Sequence, residues 1–319
     1  MKIRSIDNFL RFRFNINDTR LRLGSRILKI ATLGPKGTYS ERASQLFAQR
    51  FGETLADIDL VLTTISHSLQ LVQNRQVDFA VIPVENTIDG LIGSSFDALI
   101  EYQDFVKVCD EITIPISHVL AAKTELDWES LKVIYSHFSP INQCQNRLEE
   151  LFPGIIKIPV KSTAEAAQKV LTSEEPAAAI CNRQTALANR LAIYPGNVQD
   201  YQNNETRFLV CSLTDGSPTD NDRTLLAVRY GTNQPGQLYL TAKYLAECQI
   251  DLTFIQSRPY KIKPQEYVLV YEFIGHKSSP AVALALKNIE NQVRASEGWK
   301  KILGSYPKRK REDDIEFCT

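Results

Sequence analysis

Short apolar runs alternate with helical patterns from Ile27 to Val210. ILKIATL (27–33) reads as a buried strand, and the turn Gly34-Pro35-Lys36-Gly37 follows it. Thr38 or Ser40 can then cap a helix that carries Ala43, Leu46 and Phe47 on one face. VDFAVI (77–82), LKVIY (131–135) and AAAI (177–180) repeat the strand pattern, while STAEAAQKV (162–170) opens on a capping-box arrangement of Ser162 and Glu165. Strands rich in Val and Ile that alternate with such helices predict parallel α/β layers with helices on both faces. In those layers ligands sit at the carboxyl ends of strands.

The texture changes after TDGSPTDNDRT (214–224), a stretch dense in turn residues that marks a domain boundary. Beyond it the order is strand LLAVRY (225–230), helix LYLTAKYLAEC (238–248), strands IDLTFIQSR (250–258) and YVLVYEFI (267–274), and helix AVALALKNIENQV (281–293). That order predicts a small ferredoxin-like module.

A chain of 319 residues accommodates two domains, in line with this break. Lys+Arg 37 against Asp+Glu 37 gives no net charge, which argues against nucleic acid and membrane surfaces as partners. The six cysteines are scattered without CxxC spacing or a His at ligand spacing. They read as reduced thiols of a cytoplasmic protein, with no metal site expected. No apolar run reaches the roughly 18 residues that span a bilayer. Residues 1–27 read as a basic N-terminal extension and 308–319 as a charged tail.

Three segments carry candidate chemistry. In NNETRF (203–208) the alternation of a strand puts Thr206 and Phe208 on one face and Arg207 on the other, so Arg207 is expected to pair with a neighbouring acid. PVEN (83–86) follows a strand and offers Glu85 and Asn86 to a cleft. SHFSPINQ (136–143) offers the Ser136 hydroxyl and the Gln143 amide. Each also has a plain structural account: Asn86, Ser136 or Ser139 as a helix cap, and Thr206 as a residue that fits a pleated strand. His137 reads as structural, and no Ser-His-Asp or Cys-His set can be defended from spacing.

Taken in order, GPKGTYSERA (34–43), DFAVIPVENTIDG (78–90), IPISH (114–118), IYSH (134–137), STAEAA (162–167), NETRF (204–208), PGQLY (235–239), SRP (257–259) and LGSYP (303–307) resemble a prephenate dehydratase with a C-terminal ACT regulatory domain. The resemblance implies α/β architecture: a two-lobed catalytic domain of periplasmic-binding-protein type II topology over 28–213, its second lobe near 108–190. A βαββαβ ACT domain follows over 222–307. It implies decarboxylative dehydration of prephenate to phenylpyruvate without metal or cofactor. Catalytic roles are implied for Thr206, Glu85, Asn86 and Gln143, and substrate contacts for Ser136, Thr38, Arg207 and Phe208. L-phenylalanine is the implied effector, bound at Gly236, Gln237, Leu238, Ser257, Arg258 and Pro259 between subunits of a homodimer or homotetramer. The segment SHFSPINQC (136–144) departs from the family's SHPQALAQC, and Gln256 replaces a Glu. The first departure keeps a prephenate decarboxylase in view, and an amino-acid-sensing ACT protein without catalysis is the remaining alternative.

Overall fold

The computed structural model describes residues 27–52, 58–124, 128–232 and 234–311. The expected extension at 1–27, apart from Ile27, lies outside these residues, as does 312–319 of the expected tail. Alternation of strand and helix builds the first lobe from β1 (Leu28–Leu33), α1 (Tyr39–Gln49), β2 (Ile58–Thr63), α2 (Ile65–Gln73), β3 (Phe79–Asn86), β4 (Gly90–Leu91), α3 (Gly93–Glu101) and β5 (Lys107–Pro115). β1 lies parallel to both β2 and β3. Leu28 and Ile30 on one face pack against α1 and Ala31 on the other against α2, so the two helices cover β1 from opposite sides. Thr38 caps α1, and its hydroxyl accepts the backbone N–H of Glu41 at 3.5 Å. Such a cap is worth about 1 kcal/mol.

The chain then crosses into a second, five-stranded sheet made of β6 (Val119–Ala122), β7 (Val133–Ser136), β8 (Ile156–Pro159), β9 (Ala177–Cys181) and β10 (Ala192–Ile193), in the order β10-β6-β9-β7-β8. Helices α4 (Phe138–Gln143), α5 (Gln145–Leu151), α6 (Thr163–Thr172) and α7 (Arg183–Ala188) clothe it. Ser162 caps α6 as its spacing predicts, accepting the N–H of Glu165 at 3.0 Å. The chain returns to the first sheet as β11 (Glu205–Ser212), antiparallel between β3 and β5. Two crossings between two open sheets give the two-lobed, type II periplasmic-binding-protein arrangement expected, with a cleft where both sheets present strand ends.

The C-terminal unit runs β12 (Asp222–Arg229), α8 (Gln237–Glu247), β13 (Leu252–Pro259), β14 (Tyr267–Ile274), α9 (Pro280–Ala295) and β15 (Trp299–Pro307), a βαββαβ order. Its sheet does not stand alone. β15 pairs parallel with β5 at Gly304 and Val108, so one sheet runs β13-β14-β12-β15-β5-β11-β3-β1-β2 through both units. A Cβ on Gly304 would lie 2.1 Å from the carbonyl oxygen of Val108, so only glycine permits that approach. Beneath the junction, Val108, Leu209, Leu225, Val270 and Leu303 form one buried cluster shared by the two units. Cys109, Cys144 and Cys181 are free, and burial pushes their thiols up to about 12. Among the described residues no helix is long and apolar enough to cross a membrane.

Candidate active site

β3 and β11 pair so that Asn86 lies directly opposite Thr206. The Asn86 side chain is fixed from both ends. Its Oδ1 accepts the backbone N–H groups of Ile88 and Asp89, each at 2.9 Å, in a turn that closes on the side chain. That leaves Nδ2 pointing across the strands, where it donates to Thr206 Oγ1 at 3.0 Å, to Asn204 Oδ1 at 2.7 Å and to the carbonyl of Glu205 at 3.0 Å. Thr206 is 9% exposed and Asn86 8%. The Thr206 oxygen is thus an acceptor already in use, and its proton goes to no acceptor among the described residues. Donation into a hydroxyl oxygen makes its O–H a stronger donor.

Gln143 arrives from the other lobe at the end of α4, and its amide is saturated. Oε1 accepts Asn204 Nδ2 at 2.8 Å and His118 Nε2 at 2.9 Å. Nε2 donates to Asp89 Oδ2 at 2.8 Å and to Ser139 Oγ at 3.2 Å. The Ser139 hydroxyl in turn donates to Asp89. Asn86, Asn204, Gln143 and Asp89 therefore close a ring of hydrogen bonds that all run in one sense across the cleft. His118 is 6% exposed, and burial holds its imidazole below the ordinary range although Gln143 and Asp89 pull the other way. It therefore serves Gln143 as a neutral Nε2–H donor, and its Nδ1 is buried with no hydrogen-bond partner among the described residues.

The structure brings Thr206, Asn86 and Gln143 together and places the other candidates elsewhere. Glu85 is on the opposite face of β3, lining a cavity of about 290 Å³ with Arg207, Arg223, Thr253 and Glu272. Arg207 pairs with Glu111 at 2.8 Å and with Glu272, the acid partner that strand alternation required. Phe208 is 1% exposed in the core with Phe79 and Ile112, after a bulge at Arg207/Phe208. Ser136 is buried, and its hydroxyl donates to the carbonyl of Ile180 at 2.7 Å. Thr38 lines a separate cavity of about 1060 Å³ between α1 and helices α6 and α7. The lobes also touch there, where Gly37 O accepts Asn182 Nδ2 at 2.7 Å and Thr185 Oγ1 at 2.8 Å.

In the C-terminal unit β12 and β13 both run antiparallel to β14, hence in the same direction. The turn at Gly236 and the segment Ser257–Pro259 consequently share one end of that sheet. Gly236 precedes α8 with φ +87°, the left-handed region suited to glycine. Leu238 is half exposed, Gln237 braces the loop through Thr232 O at 2.7 Å, and Arg258 pairs with Asp97 of α3 at 2.7 and 3.0 Å. Asn204, Asp89 and His118 received no role from the sequence, and Ser139 only that of a helix cap, although each lies inside or beside a quoted motif. The one available signal was the density of amides and hydroxyls at strand ends.

A family model described as prephenate dehydratase matches residues 30–215. The bifunctional chorismate mutase/prephenate dehydratase of Aquifex aeolicus is 36% identical over 283 residues, 88% of this chain and 74% of that one. The prephenate dehydratase of Methanocaldococcus jannaschii is 30% identical over 277 residues, 86% of this chain and 96% of its own. Among solved structures, prephenate dehydratase from Arthrobacter aurescens in complex with L-Phe is similar with a TM-score of 0.78 at 27% identity, over 88% of this chain and 90% of that one.

Proposed function

Because the chain belongs to the prephenate dehydratase family, we infer that its cleft converts prephenate to phenylpyruvate, carbon dioxide and water. In that reaction the ring carboxylate leaves as carbon dioxide and its bonding electrons enter the ring. The C–O bond on the opposite ring carbon breaks, and the oxygen leaves as water after gaining a proton. Aromatisation drives the step, so the protein has to orient the dianion and stabilise negative charge on the departing oxygen. The observation that carries this reading is the buried Thr206 hydroxyl, its oxygen held by Asn86 at 3.0 Å and its proton uncommitted. Thr206 donates to the leaving oxygen, and Asn86 stabilises the charge that this leaves on Thr206. Gln143, with both ends of its amide bound to protein groups, holds the lobes in register for that contact. An oriented donor of this kind is worth about 10² to 10³ in kcat.

The C-terminal βαββαβ unit serves in this reading as an ACT domain over 222–307, after a catalytic domain over 28–213. L-phenylalanine binds near Gly236 and Ser257–Pro259 between subunits of a homodimer or homotetramer in the cytoplasm, a reading favoured by the related structure solved with L-Phe. The test is an end-point assay on prephenate with and without phenylalanine, read by phenylpyruvate absorbance in alkali. Carbon dioxide release without that chromophore would replace the assignment by a decarboxylase. No consumption at all would remove catalysis altogether.

A further inference from the structure

The strand pair that carries the cleft hydroxyl has a second face, and it is turned to the other unit. At the two register positions Asn86↔Thr206 and Glu85↔Arg207, alternation sends the first pair into the cleft and the second to the back. There the Arg207 guanidinium bonds Glu111 of its own unit and two residues of the C-terminal unit. Nε bonds Glu111 Oε2 at 2.8 Å, while Nη2 bonds Glu272 of β14 and the Tyr306 hydroxyl of β15, the latter at 3.1 Å. Tyr306 also donates to Glu272 at 2.8 Å, and Arg223 of β12 bridges Glu111 and Glu272, each at 3.2 Å. The acids are 3% exposed at their side chains and Tyr306 is fully buried. Burial opposes the charge on Arg207, but the Tyr306 phenol and the two carboxylates outweigh it and hold the guanidinium more firmly protonated than usual.

Two further features bear on this face. The cavity of about 290 Å³ lies directly behind the strand pair, and the Glu85 carboxylate on its wall takes no hydrogen bond or ion pair among the described residues. Between Arg207 and Phe208 the register with β3 slips by one residue, Val84 of β3 being the extra one, while the pairing with β5 continues. The strand is thus gripped from one side, with space behind it and an irregular pairing to β3 beside it.

We propose that Arg207 is a positioning residue, and that Glu272 and Tyr306 of the C-terminal unit set through it the angle at which the Thr206 hydroxyl enters the cleft. The coupling needs no contact between that unit and substrate. It rests on the dehydratase reading for its kinetic readout alone.

The full-length variants Glu272→Gln and Tyr306→Phe test it, since both changes are nearly isosteric and act on residues of the C-terminal unit that touch Arg207 on the face away from the cleft. We expect kcat on prephenate to fall about tenfold for Glu272→Gln, with KM moved by less than about twofold, the mark of an interaction realised only in the transition state. Amide hydrogen exchange at 204–208 should quicken about tenfold, with β7 and β9 unchanged. Tyr306→Phe keeps every charge and decides the matter if Glu272→Gln does not fold. Parental kcat together with parental exchange at 204–208 in folded variants overturns the proposal. If the parent protein itself leaves prephenate untouched, the dehydratase reading fails, and the exchange result alone decides the coupling.

Discussion

In the proposed reaction Thr206 acts through one proton, and its neighbours decide where that proton points. Thr206→Ala should lower kcat about 10² to 10³ with a smaller change in KM, and Thr206→Ser should restore most of it, measured by phenylpyruvate formation. Asn86→Asp is the sharper probe. A carboxylate in that place would face Asn204 Oδ1, the Glu205 carbonyl and Thr206 Oγ1, all acceptors toward the present amide. Thr206 would then donate back to the new carboxylate rather than to substrate, so kcat should fall at least as far as in Thr206→Ala while the fold survives. Thr206, Asn86 and Gln143 were legible because each lies in a polar segment next to a strand end. The sequence does not show that Gln143 is saturated, that Asn204 bridges the lobes or that Glu85 faces away. Those facts depend on which strand lies beside which.

At the scale of elements, the apolar runs announced β1, β3, β7 and β9, and the cap of α6 stood at the residue its spacing named. The junction of β5 with β15 was hidden, since one glycine beside one carbonyl leaves no periodic trace. Gly304→Ala should therefore cost more than a usual helix or strand glycine. Its Cβ would fall 2.1 Å from Val108 O, and relieving that overlap means parting two strands, so about 1 to 3 kcal/mol is expected. Thermal denaturation of the purified variant would show it as a fall in Tm of several degrees. An unchanged Tm would mean that the two sheets are joined less firmly than their register indicates.

Across the whole molecule, two histidines should make the structure less stable as pH falls below 6.5. Burial holds both His118 and His137 below their ordinary 6.5. As pH falls below that value the unfolded chain takes up protons that the folded protein refuses, so stability is lost from about pH 6.5 down to the depressed values and levels off beneath them. Tm measured from pH 7.5 to 5 should fall over that window. His118→Gln, which keeps a donor toward Gln143, should flatten the slope. The single sheet that runs through both units has a last consequence. A fragment ending at Ser212 would bare the long edge of β5 and strip Glu111 of its Arg223 partner, while Asp110 would lose Arg309. Such a piece is expected to form sticky aggregates at ordinary expression levels rather than a trimmed, unregulated catalyst.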